Sequence, residues 1–121
     1  MKSFKEILEQ NTEGRQCPQG YIIALTDTMN VISGKWKLPI IASLLKEKKR
    51  FKDLQGNVNG ITPRMLSKEL RELEMNSIVV RRVYDQRPVL IEYELTESGR
   101  SLADLIDTMV RWGLEHRSNV L

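Results

Sequence analysis

The chain has 121 residues with 19 basic and 16 acidic side chains, a formal charge of +3, and one histidine and one cysteine. That length suits one domain with its own core, a single cysteine excludes an intrachain disulfide framework, and one Cys with one His makes no Cys/His zinc site. The longest apolar stretch, Leu38–Ala42, is far short of a membrane span, and Lys2, Lys5, Glu6 and Glu9 interrupt any signal-peptide pattern, so a cytoplasmic location is expected.

Taken in chain order, residues 1–10 place Phe4, Ile7 and Leu8 at helical spacing before a break at Asn11–Gly14. A second helix is expected from Gln19 to Ile32, carrying Ile22, Leu25, Met29 and Ile32, with Pro18 in its first turn and Cys17 as its N-cap. Ser33-Gly34 ends it. A third helix starts between Trp36 and Leu38, because Pro39 fits only a first turn, and carries Ile40, Ile41, Leu44 and Leu45. The run Lys46–Arg50 that follows reads as a strongly hydrated stretch.

Phe51, Leu54 and Val58 mark a short amphipathic helix, and Asn57–Gly60 a turn. Thr62 then caps a helix that has Pro63 at its first position and runs to about Met75. Two helices joined by a short glycine-containing turn over residues 50–75 form a helix-turn-helix. In the second of them Leu66, Leu70 and Leu73 point inward, while Arg64, Ser67, Lys68 and Arg71 share the opposite side.

The period then changes from 3.6 to 2. Ile78–Tyr84 and Val89–Leu95 alternate around the turn cluster Asp85–Pro88, which predicts a two-stranded hairpin over residues 78–95, with Arg81 and Arg82 on its first strand and Arg87 at its tip. From Thr96 to about residue 118 a last helix carries Leu102, Leu105, Ile106, Met109 and Trp112 on one stripe. That stripe packs either on the chain's own core or on a second copy; the dimer is the reading favoured, with residues 1–33 supporting it. The fold expected is α+β and mainly helical, a single winged helix-turn-helix domain over residues 1–121 with terminal dimerisation helices.

Charge follows the same division. Residues 1–33 hold three basic and four acidic side chains, residues 34–91 thirteen and six, and residues 92–121 three and six. A basic island over the helix-turn-helix and wing focuses positive potential on one side, which suits double-stranded DNA.

The blocks Cys17-Pro18, Gly34-Lys35-Trp36-Lys37, Arg50-Phe51-Lys52-Asp53-Leu54, Ile61-Thr62-Pro63-Arg64-Met65-Leu66, Leu70-Arg71-Glu72-Leu73-Glu74, Pro88-Val89 leading to Glu92–Gly99, and Trp112-Gly113 stand in the order found in HxlR-type regulators. The chain resembles that family from about Cys17 to Gly113. The resemblance implies a prokaryotic winged-helix repressor or activator, homodimeric, related in architecture to the MarR regulators. It also implies a thiol sensor in some relatives, with a cysteine in the region of Cys17. Two positions depart from the family pattern: Ser77 replaces a usual glycine, so the left-handed residue of that turn is expected at Asn76, and Pro39 replaces an ordinary helix former.

The DNA contacts expected are Arg64 as base reader in the major groove, and Ser67, Lys68 and Arg71 on phosphates or the edge of the reading frame. Thr62 and Pro63 set the helix start, Arg87 enters the minor groove or grips its phosphates, and Lys49, Arg50 and Lys52 touch the backbone. Arg50 and Arg71 have the alternative of pairing with Asp53 or Glu74. Cys17, near Arg15, is the candidate for redox chemistry, and its plainer reading is a small buried residue. Catalysis is not expected: His116 sits near the C-terminus, the carboxylates show no paired spacing, and no phosphate loop or cofactor motif occurs. The competing function is a winged-helix interaction module that does not bind DNA.

Overall fold

The computed structural model describes residues 2–10 and 19–120, and within them the element order is α1 (Phe4–Gln10), α2 (Gln19–Ile32), α3 (Lys37–Leu44), α4 (Phe51–Asn57), α5 (Pro63–Met75), β1 (Val79–Tyr84), β2 (Leu90–Leu95), α6 (Glu97–Arg100) and α7 (Ala103–Val120). The chain divides into two compact units, Met1–Ser33 and Gly34–Leu121. In the first, the Phe4 and Tyr21 rings meet at 5.7 Å and the Tyr21 hydroxyl donates to the Lys2 carbonyl, joining α1 to α2. Helix α2 has the bounds its periodicity predicts. Cys17 and Pro18, with the expected cap, lie outside the described residues.

The second unit is a mainly helical α+β winged helix. Its core gathers Ile40, Ile41 and Leu44 of α3, Leu54 of α4, Leu66, Leu70 and Leu73 of α5, Val79 of β1 and Leu95 of β2, with Val58, Ile61 and Ile78 closing the turns. Pro39 occupies the first turn of α3, where its missing N–H breaks no helical bond. Helix α5 begins as its sequence dictates. The Thr62 hydroxyl oxygen accepts from the Met65 N–H at 3.2 Å, and Pro63 takes the first helical position.

At the far end of α5 the structure corrects one expectation. Asn76 has φ −91°, and Ser77 itself adopts the left-handed φ of 60°. The Ile78 N–H reaches the Leu73 carbonyl at 2.9 Å and the Ser77 N–H reaches Glu74 at 3.0 Å, the paired bonds of a Schellman stop, which requires its left-handed residue one position beyond the C-cap. Ile78 and Leu73 are both buried beneath this turn.

Strands β1 and β2 pair antiparallel from Val79↔Leu95 to Tyr84↔Leu90. Two further features depart from the periodic reading. Lys49, inside the stretch read as hydrated, bridges β2: its N–H donates to Tyr93 at 3.0 Å and its carbonyl accepts from the Tyr93 N–H at 2.7 Å. The last helix is also broken. Thr96 caps only α6, accepting from the Gly99 N–H at 3.0 Å, and Ser101-Leu102 form a turn before α7. Gly99 lets α6 pass close to the end of α5, because a Cβ there would collide with the Ile78 carbonyl oxygen.

Candidate nucleic-acid interface

Burying Leu66, Leu70 and Leu73 fixes which side of α5 meets solvent. Arg64, Ser67, Lys68 and Arg71 are all exposed on that side and, with Met65, line one shallow groove. None of the three cations has a carboxylate within 4.0 Å among the described residues. The alternative pairings of Arg50 with Asp53 and of Arg71 with Glu74 do not form. Arg50 and Lys52, at the start of α4, and Arg87, in the wing loop, are likewise exposed. Thr62 and Pro63 are exposed at the start of α5, although the Thr62 hydroxyl is occupied by its capping bond.

Lys49 stands apart from this group. Its ammonium donates to the Ser43 carbonyl at 2.8 Å and only 15% of its side chain is exposed, so its charge serves the local fold rather than the basic face. Lys48, next to it, lies 3.4 Å from Glu92, and Arg82 and Arg100 both bond Glu94 at 3.0 Å. Those two arginines hold the Glu94 carboxyl below its ordinary range.

A residue that the sequence reading left without a role fixes the pose of α5. Lys37 of α3 is buried, and its ammonium donates to Glu69 at 2.8 Å and also to Glu72. Burial pushes the Lys37 pKa down, but the bonds to the two carboxylates outweigh it and the net shift is upward; Glu72 is lowered by the same bond. Glu69 and Glu72 stand one turn apart on α5, so one buried cation ties two successive points of the helix to α3. A pairing across more than thirty residues leaves no periodic trace in the sequence.

The proposed dimer residues divide. Leu102 and Ile106 are half-buried, whereas Leu105, Met109 and Trp112 are exposed. Between α3 and α7 runs an apolar groove of about 290 Å³ lined by Leu38, Pro39, Ala42, Ile106, Met109 and Val110. Among the described residues no group of three His, Cys, Asp or Glu side chains is placed to hold a metal, and no helix is long and apolar enough to cross a membrane.

A two-stranded wing beside a helix-turn-helix whose second helix presents an unpaired basic face defines a winged-helix protein of the DNA-binding kind. The chain belongs to the HxlR-like helix-turn-helix family, which matches residues 31–120. It is 43% identical over 100 residues, 83% of this chain and 79% of the relative, to YtcD of Bacillus subtilis strain 168, described as an uncharacterized HTH-type transcriptional regulator. Among solved structures it is similar to the redox regulator HypR in its reduced form, at 41% identity and a TM-score of 0.76, covering 80% of this chain and 96% of that one. It is also similar to the reduced form of the transcriptional regulator YodB from B. subtilis, at 33% identity and a TM-score of 0.68, over 80% and 90%.

Proposed function

We propose that this chain is a sequence-specific DNA-binding repressor that acts in the cytoplasm as a homodimer on an inverted-repeat operator. The observation that carries the reading is the outer face of α5, where Arg64, Ser67, Lys68 and Arg71 are exposed together and the three cations have no carboxylate partner among the described residues. Helix α5 lies in the major groove, its N-terminal part nearest the base edges. Arg64 reads guanine O6 and N7 with its two-pronged guanidinium, Lys68 and Arg71 hold phosphates, and Arg87 of the wing meets the minor groove. Arg50 and Lys52 contact the backbone beside α4. Repression is the direction proposed because a dimer covering two half-sites about one helical turn apart excludes other proteins from that stretch of promoter.

Titration of operator duplex against salt tests this. Arg64→Ala is expected to relax preference at one position of each half-site, a loss of about 1–3 kcal/mol in discrimination. Lys68→Ala should weaken all sequences alike and reduce the salt slope by about one unit per half-site. Unchanged affinity and slope in both variants would remove α5 from the interface and favour the interaction module.

A second element of the reading is thiol control through Cys17, favoured by the likeness to a protein described as a redox regulator. With one cysteine per chain, the available chemistry is a bridge between two Cys17 thiols or a mixed adduct. Wild type should release operator after quinone or peroxide treatment and Cys17→Ser should not; equal release by both would overturn thiol control.

A further inference from the structure

Ser67 and Arg71 border two grooves. One is the outer face of α5 already described; the other is a polar notch between α5 and the wing, lined by Ser67, Leu70, Arg71, Glu74, Arg81 and Tyr93. The basic face therefore does not stop at Arg71. It turns the corner of α5 and continues onto β1.

Arg81 is well suited to a fixed contact. It stands opposite Tyr93 in the β ladder, and the Tyr93 backbone exchanges two hydrogen bonds with Lys49, so Arg81 projects from a part of the wing held on both edges of β2. Arg87, by contrast, sits in the loop at the wing tip. The neighbouring Arg82 is spent internally on Glu94, whereas Arg81 has no carboxylate within 4.0 Å among the described residues. Glu74 lines the same notch yet pairs with neither Arg71 nor Arg81. Two guanidinium groups and one carboxylate leave the notch with a net positive charge and two forked donors, the chemistry that holds a tetrahedral oxyanion.

We propose that this notch is a further backbone site, in which Arg81 joins Arg71 in gripping one DNA phosphate between the base-reading face of α5 and the minor-groove contact of the wing tip. The inference rests on the DNA-binding reading above. Glu74, which lines the same notch, opposes the incoming phosphate and moderates the grip on every duplex alike.

Binding of operator and of unrelated duplex, measured across a salt series, tests the site. Arg81→Gln should weaken both duplexes about tenfold near 0.1 M salt and lower the salt slope by about 0.9 per protomer, as expected for one lost phosphate contact. Glu74→Gln should strengthen both about threefold, and that gain should vanish in the double variant. A merely structural role for Arg81 predicts neither the gain nor its dependence on Arg81. Inorganic phosphate, exchanged for chloride at constant ionic strength, separates a backbone phosphate from a free one: equal displacement of DNA from wild type and Arg81→Gln is expected, and displacement that depends on Arg81 would make the notch a free-anion site and overturn the assignment. If Arg64→Ala loses operator preference while Arg81→Gln and Glu74→Gln change nothing, the notch is wrong and the DNA-binding reading stands. If wild type fails to bind duplex even at low salt, both fall together.

Discussion

Two residues at the junction of α5, the wing and α6 show how narrow the local tolerances are. Ser77 holds a left-handed φ of 60° that costs a side-chain-bearing residue about 1–2 kcal/mol, and it is kept there by the bonds of the Schellman stop. Glycine at this position would remove the strain while losing some entropy advantage in the unfolded chain. Ser77→Gly is therefore expected to stabilise the protein by about 0.5–1 kcal/mol, seen as a higher urea midpoint at unchanged slope; a lower midpoint would show that the Ser77 side chain contributes more than its backbone strain removes. Gly99 is the opposite case. A methyl group there meets the Ile78 carbonyl oxygen, which accepts from the Thr96 N–H, and lies 3.1 Å from a Leu95 methyl; neither a hydrogen-bonded carbonyl nor a buried leucine can move freely. Gly99→Ala should cost about 2 kcal/mol in the same measurement. The turn itself was legible in Asn76-Ser77, but its left-handed residue was not. Asparagine is the better intrinsic left-handed former, and only the carbonyls that must be satisfied behind the C-cap decide that the next residue bears the strain.

Helices and strands whose faces alternate with a local period were the legible elements: α2, α5 and both wing strands follow their sequence bounds to within about a residue. Contacts between elements distant in sequence were not. Lys49 lies in a run of five charged residues and gives no strand signal, yet its backbone completes the edge of β2. Lys37 looks like an ordinary surface lysine and is instead the buried tie between α3 and α5. Removing it leaves Glu69, with 13% of its side chain exposed, close to a buried uncompensated charge, so Lys37→Met should destabilise the protein by roughly 2 kcal/mol. The pH dependence has two limbs. Glu72 and Glu94 titrate below their ordinary 4.5 when folded, so the unfolded chain takes up protons first as pH falls. Their contribution is complete above about 4.5 and is lost as pH drops through the folded values. Lys37 titrates above 10.5 when folded, so its contribution is complete below that value and is lost as pH rises through the folded one. Urea midpoints measured from pH 3 to 11, roughly the range these groups span, should show both limbs in wild type. Lys37→Met should flatten both, and Glu94→Gln should flatten only the acid limb. An alkaline limb that survives Lys37→Met would place its origin in Lys48, whose pKa the Tyr84 hydroxyl and Glu92 also raise.

For the whole molecule, the question is what covers α7. No residue of that 18-residue helix is buried, although Leu105, Met109 and Trp112 recur on one stripe at spacings of four and three and are 38%, 42% and 65% exposed. Val110 and Leu114 beside them are exposed too, while Asp107 and Arg111 pair with each other at 3.3 Å. Apolar surface concentrated in this way marks an interface, and under the proposed function its occupant is a second copy related by a two-fold axis. Charge is compatible with the same arrangement, since residues 34–91 carry the basic island and residues 92–121 are net acidic. A charged group in the middle of the stripe should separate the copies without disturbing a core to which α7 contributes no buried side chain. Met109→Glu is accordingly expected to sediment as a 14.0 kDa species where wild type sediments at twice that mass, with its unfolding transition retained. On a duplex carrying one half-site the variant and wild type should bind alike. On the full inverted repeat the variant should bind about 10²–10⁴-fold more weakly, because the second half-site no longer engages at the high effective concentration that the first one provides. A variant that stays dimeric, or a monomer that binds the full repeat as tightly as wild type, would exclude α7 as the seam.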